Sequence, residues 1–280
     1  MKTANLLVCV LALLVAEAAA AKYHKRVGIP TATKIRLQES MRIAGGLSSY
    51  NGEHPYFAGL IITLKTGETS VCGGTLLKYN YLVTIGQCWY DGESEGREMQ
   101  VVLGTVTLFK GGTRKYANSV TLHPQYNANT LTNDIAMVNI PFVSTGNYID
   151  YITLPVAYFS SLEGYTAEII GYGRTSPTGA LDGSSRLRDV FVKVISNAQC
   201  AQVYGSFVTM DMMCTSGDGG KGACGGDYGG PLILRRYQGA SGKDMLVGLV
   251  SFTAAAGCNT GYPTGYTRIT SYLRWINSFL

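Results

Sequence analysis

The chain has 280 residues, 46% of them hydrophobic and 15% charged, with a formal net charge of +5 at neutral pH. That is enough apolar material for a sizeable core in one or two domains, and it excludes a chain too polar to fold. The excess charge is local: residues 22–42 carry Lys22, Lys25, Arg26, Lys34, Arg36 and Arg42 against Glu39, whereas from Ile43 onward 16 basic residues face 16 acidic ones. Gripping nucleic acid or heparin needs a sustained basic patch, which a balanced body does not offer.

Taken in chain order, residues 1–21 come first. Lys2 precedes the apolar run "NLLVCVLALLVA", which ends in the small residues "EAAAA". That is the layout of a secretory signal peptide, and the run is too short for a membrane span. Residues 22–42, rich in Lys, Pro and Thr with little apolar periodicity, read as a disordered basic propeptide. Beyond Arg42 short apolar or β-branched runs recur: 56–64, 81–86, 99–109, 135–140, 167–173, 190–196, 231–236 and 245–253, parted by "NG", "GG", "DG" and "SG" turns. Many short strands at this spacing predict a barrel or sandwich. The end, "ITSYLRWINSFL", spaces Leu273, Ile276, Phe279 and Leu280 as on a helix, so one closing helix is expected.

Cys9 leaves with the signal peptide, and Cys72, Cys88, Cys200, Cys214, Cys224 and Cys258 remain. An even set in a secreted chain predicts three disulfides, with fifteen pairings open. A zinc site would be the competing use, but no C-x-x-C pair occurs.

Five motifs stand in order: "MRIAGG" at 41–46, "CGGTLL" at 72–77, "LVTIGQC" at 82–88, "NDIAMV" at 133–138 and "CGGDYGGPL" at 224–232. Together they make residues 43–280 resemble the chymotrypsin/trypsin family of serine proteases, and "SFTAAAGC" and "GYPTGYTRI" are similar to insect chymotrypsin-like members. The resemblance implies an all-β fold of two six-stranded antiparallel barrels with a C-terminal helix and a cleft between the barrels. It also implies the pairs Cys72–Cys88, Cys200–Cys214 and Cys224–Cys258.

Matched position by position, the triad of such enzymes is represented by Gln87, Asp134 and Tyr228. Asp134 keeps the orienting carboxylate. Gln87 stands where the general base belongs, and an amide cannot accept a proton near neutral pH. Tyr228 stands where the nucleophilic serine belongs, and a phenol is protonated at that pH. The two remaining body histidines, His54 and His123, match no catalytic position and read as structural or surface residues.

Other parts of the family's machinery are matched. Arg42 and Ile43 fall at the activation cleavage, and Asp227 matches the carboxylate that receives the freed Ile43 amine. Gly226 and the Tyr228 amide match the oxyanion hole. Gly222, Ala223, Ser251, Thr253 and Thr264 match the specificity pocket, whose base carries no carboxylate. Thr105 and Thr113 lie near positions where calcium-binding relatives supply acids, so no metal is expected, and Asp91, Glu93, Glu95 and Glu98 read as a solvated loop. No cofactor is expected either.

The expectation is a secreted, extracellular protease homologue without catalysis, cut after Arg42. It would bind extracellular proteins as a cofactor, decoy or regulator of a protease cascade, with active proteases or their substrates as candidate partners. A weakly active chymotrypsin-like endopeptidase and a surface-binding or defence effector are the alternatives. Neither nucleic acid nor a membrane span enters.

Overall fold

The structure, a computed structural model, describes residues 22–40, 51–156, 161–173, 186–237, 242–258 and 260–280. Residues 1–21, read above as a signal peptide, and Arg42 and Ile43 lie outside the described residues.

The first half builds one antiparallel sheet from β1 (Phe57–Leu64), β2 (Thr69–Lys78), β3 (Tyr81–Thr84), β4 (Gly96–Leu103), β5 (Thr113–Tyr116), β6 (Ser119–Leu122) and β7 (Ala136–Asn139), in the order β5-β4-β1-β2-β3-β7-β6. β5 pairs with β4 and β6 with β7, and only Ala117 and Asn118 separate them. They are two halves of one bent segment, so the seven short strands close a six-stranded ring. The second half is a closed barrel of β8 (Thr166–Gly171), β9 (Arg188–Ile195), β10 (Met212–Thr215), β11 (Pro231–Tyr237), β12 (Lys243–Phe252) and β13 (Thr264–Arg268), in the order β10-β13-β12-β11-β8-β9. Both expected barrels are present.

The apolar runs form strands because burying their large side chains, inside the barrels and on the faces packed against other elements, stabilises them: Leu60, Ile62, Leu82, Met99, Val101, Leu232, Leu249 and Val250 are all buried. Glycines set how closely the barrels approach. Gly73 on β2 donates its amide to Tyr228 O at 2.7 Å, and a Cβ on Gly73 would stand 2.7 Å from Gly230 Cα. A side chain there would push the 224–230 loop away from the first barrel.

The three disulfides are Cys72–Cys88, Cys200–Cys214 and Cys224–Cys258. The first ties β2 to the 3₁₀ turn Gly86–Cys88, and the third straps the 224–230 loop to the chain after β12. The closing helix is a 3₁₀ turn, Ile269–Tyr272, running into Leu273–Asn277, with Ile276 fully buried. No helix among the described residues is long and apolar enough to cross a membrane.

The leading segment departs from expectation. A π-helical turn, His24–Gly28, runs into helix α1, Ile29–Ser40, and both pack on the first barrel. Pro30 explains the π turn: it has no N–H to give, and Ile29 reaches back five residues to His24 O. The buried face is Tyr23, His24, Gly28, Ala32, Ile35, Gln38 and Glu39, recurring every three to four residues from His24 along one side of the helix. Most of those residues are small or polar, so an apolar count overlooks the stripe. A second helix, α2 (Asn197–Tyr204), opens on a capping box between Ser196 and Gln199.

Candidate functional site

Gln87 sits on the 3₁₀ turn after β3, where Cys88 is tied to β2 and Gly86 has a Tyr126 ring against it. Its Nε2 donates to Asp134 Oδ2 at 2.7 Å and to Ser251 O at 2.7 Å, and its backbone N–H donates to Asp134 Oδ1 at 3.0 Å. Ser251 Oγ donates to Asp134 Oδ2 at 2.7 Å. Both amide protons of Gln87 are therefore committed. Asp134 is buried, and desolvation pushes its carboxyl up to about 6 against the pull of these donors. The cluster can orient and lock; its amide has no proton-accepting capacity near neutral pH.

Tyr228 rides the loop 224–230, between Gly226 at φ 105° and Gly229 at φ 77°, conformations that glycine adopts freely. Gly229 is also a contact point, since a Cβ there would lie 2.4 Å from Thr84 Oγ1 and 2.5 Å from Gly73 O. The Tyr228 hydroxyl is hydrogen-bonded to Thr253 Oγ1 at 2.9 Å, so the ring reaches from its loop to the wall beyond β12. Burial raises its phenol above the ordinary value of 10.

The pocket residues fall into three groups. Thr264 Oγ1 accepts from Ala223 N at 3.1 Å and would lie 2.9 Å from a Cβ on Gly222, so these three form one packed base. Thr253 is engaged by Tyr228. Ser251 belongs to the Asp134 cluster through its hydroxyl.

Asp227 is buried and accepts from Gly173 N at 2.6 Å and Cys224 N at 2.9 Å. A Cβ on Gly171 or Gly173 would stand 2.0 Å from its oxygens, so this cradle admits only glycine. Burial pushes its carboxyl up to about 6, opposed by the two amides. Its matched partner Ile43 lies outside the described residues.

Sequence reasoning missed what lies over this loop. Tyr23 packs on Tyr228 with ring centroids 5.0 Å apart and donates its hydroxyl to Val71 O. His24 donates its backbone N–H to Asp91 Oδ2 at 2.8 Å, and its Nδ1 is bonded to Ser70 Oγ at 2.8 Å. Lys22 and Lys25 both pair with Glu93. A Cβ on Gly225 would meet Thr31 Oγ1 at 3.1 Å and Val27 Cγ1 at 3.3 Å. At the far end, Glu39 accepts from the amides of Leu108 and Phe109 at 2.6 and 2.9 Å, and Arg36 stacks over Phe109. The segment read as disordered is thus a helical cover.

The acids before β4 change role with it. Asp91 is buried and also accepts from the amides of Glu93 and Ser94, while Glu93 holds two lysines. They anchor the cover: the solvated reading fails for Asp91, which is buried, whereas Glu93 stays exposed and holds lysines from a distant segment.

His54 is buried, with Nε2 3.5 Å from Asp189 Oδ1, and His123 packs edge-on against Tyr272 and Trp275. Glu53, His54 and Asp189 bring ligand-type atoms within 4.8 Å of one another, the kind of grouping a metal could use. Arg235 already reaches both Glu53 and Glu168 there, at 3.4 and 3.3 Å, so this cluster is organised around a guanidinium.

The comparisons agree with the architecture. The family model described as Trypsin matches residues 43–276, and the chain belongs to that family. A collagenase of Hypoderma lineatum is 33% identical, over 84% of this chain and 86% of its own. Brachyurin of Leptuca pugilator is 34% identical, over 84% of this chain and 97% of its own. The solved structure of HL collagenase superposes with a TM-score of 0.74 at 32% identity, covering 85% of this chain and 99% of that one.

Proposed function

We propose that this protein is a secreted serine protease homologue that acts by binding instead of catalysis, after cleavage between Arg42 and Ile43. Its partners would be extracellular proteins of a protease cascade, either active proteases or their substrates. One observation carries the reading: at the matched base and nucleophile positions stand an amide with both protons engaged and a buried phenol bonded to Thr253. In enzymes of this mechanism, losing the serine or the histidine costs on the order of 10⁶ in turnover. Here both are replaced.

The competing reading is a weak endopeptidase, favoured by relatives that carry the names collagenase and brachyurin. Purified protein cut after Arg42 separates the two on apolar and basic ester and amide substrates. The account expects no turnover and no fluorophosphonate label at residue 228. Turnover that follows the protein through purification would overturn it, whether or not it survives Tyr228→Phe.

A further inference from the structure

The cover over Tyr228 defines what its groove accepts. Along one wall, Ser70 and Val71 of β2 present a hydroxyl and a carbonyl, and both are used by Tyr23 and His24. The floor is the Tyr228 ring and the bare backbone at Gly225. At the mouth, Asp91 and Glu93 take a backbone N–H and two lysines. The resident segment is "KYHK": two cations flank a tyrosine, and the ring enters between Val71 O and Tyr228. Residues 22–42 contain no cysteine, so no disulfide would hold the segment once the chain is cut after Arg42.

We propose that this groove is a recognition site for a short basic segment presenting a tyrosine on a partner protein. Residues 22–40 occupy it until cleavage. The proposal rests on the reading above that the chain is processed and acts by binding. The cut then converts a filled groove into an open one: an aromatic slot with hydrogen-bonding edges and an acidic rim. The charge pairs at the rim are exposed and would contribute chiefly rate and selectivity, whereas the buried tyrosine supplies affinity.

The probe is a labelled synthetic peptide of residues 22–40. It is titrated into the intact chain and into protein cut at a site-specific protease sequence placed just before Ile43, with the released segment removed by gel filtration. The peptide is expected to bind the cut protein and to be excluded from the intact one. A Tyr23→Ala peptide should bind at least about tenfold more weakly. A peptide with Glu at positions 22 and 25 should bind several-fold more weakly, with a difference that shrinks at high salt.

Equal binding to both forms, no binding to cut protein that keeps its circular-dichroism spectrum, or indifference to Tyr23→Ala would overturn the proposal. Loss of fold on cutting would make residues 22–40 a structural element and overturn it as well. Catalytic turnover would sink the non-catalytic reading and leave these binding outcomes readable, so the two failures are distinguishable.

Discussion

Gln87, at the position matched to the family's general base, holds its neighbours in a fixed arrangement. Its amide spans Asp134, just before β7, and the Ser251 carbonyl on β12, so one of its two donors ties the first barrel to the second. Asp227 presents the opposite case, a buried carboxylate met by two amides among the described residues. Its pKa is raised from 3.8 to about 6 by burial, so the folded chain holds this proton more tightly than the unfolded one. The contribution to stability is fully present below pH 3.8 and is lost as pH rises through 6. The uncut chain should therefore lose stability over that window, and Asp227→Asn should remove up to about 3 kcal/mol of the difference. Urea unfolding of both proteins at pH 4 and pH 7 measures it. A wild-type pH dependence that Asp227→Asn leaves unchanged would show that this proton is not linked to folding. The identities at 87, 134, 227 and 228 were legible because motifs fix position. The Thr253 bond and the Ser251 hydroxyl's partner were not, since both depend on loops meeting across the cleft.

The leading helix is the element whose behaviour the structure changes most. His24 is fully buried between Tyr23, Ser70 and Asp91, with Lys22, Lys25 and Glu93 at the rim. Desolvation lowers its pKa from 6.5, and Asp91 and the Trp89 carbonyl only partly oppose this. The docked imidazole is thus neutral where a free one would gain a proton. Docking is at full strength above pH 6.5 and weakens as pH falls below it. Hydrogen exchange across residues 24–39, corrected for intrinsic rates, should lose protection by up to about tenfold per pH unit there. A His24→Gln chain should be flat across the same range. Protection that falls equally in both chains would remove His24 from the account. Strand runs such as "YLVTIG" were readable from β-branched and apolar clustering. β2 was legible only as the "CGGTLL" motif, because its paired glycines break alternation. The leading helix was hidden because a stripe of His, Gly, Ala and Glu resembles a polar tail until a barrel wall supplies its partners.

At the scale of the whole molecule, the two barrels keep the cleft of their family while Tyr228, Thr253 and the leading segment fill it. Barrel number and the disulfide pairs followed from the resemblance, and the closing helix from the spacing of its apolar residues. The filled cleft did not, because it joins residues some two hundred positions apart. If the scaffold is intact and only the reacting groups are missing, restoring them should restore chemistry. The most direct measurement is ester hydrolysis by protein cut after Arg42 carrying Gln87→His, Tyr228→Ser, or both. The account predicts weak turnover from the double variant alone, because base and nucleophile act as a unit. Turnover from Tyr228→Ser alone that equals the double variant would contradict it, since it would require a base other than residue 87.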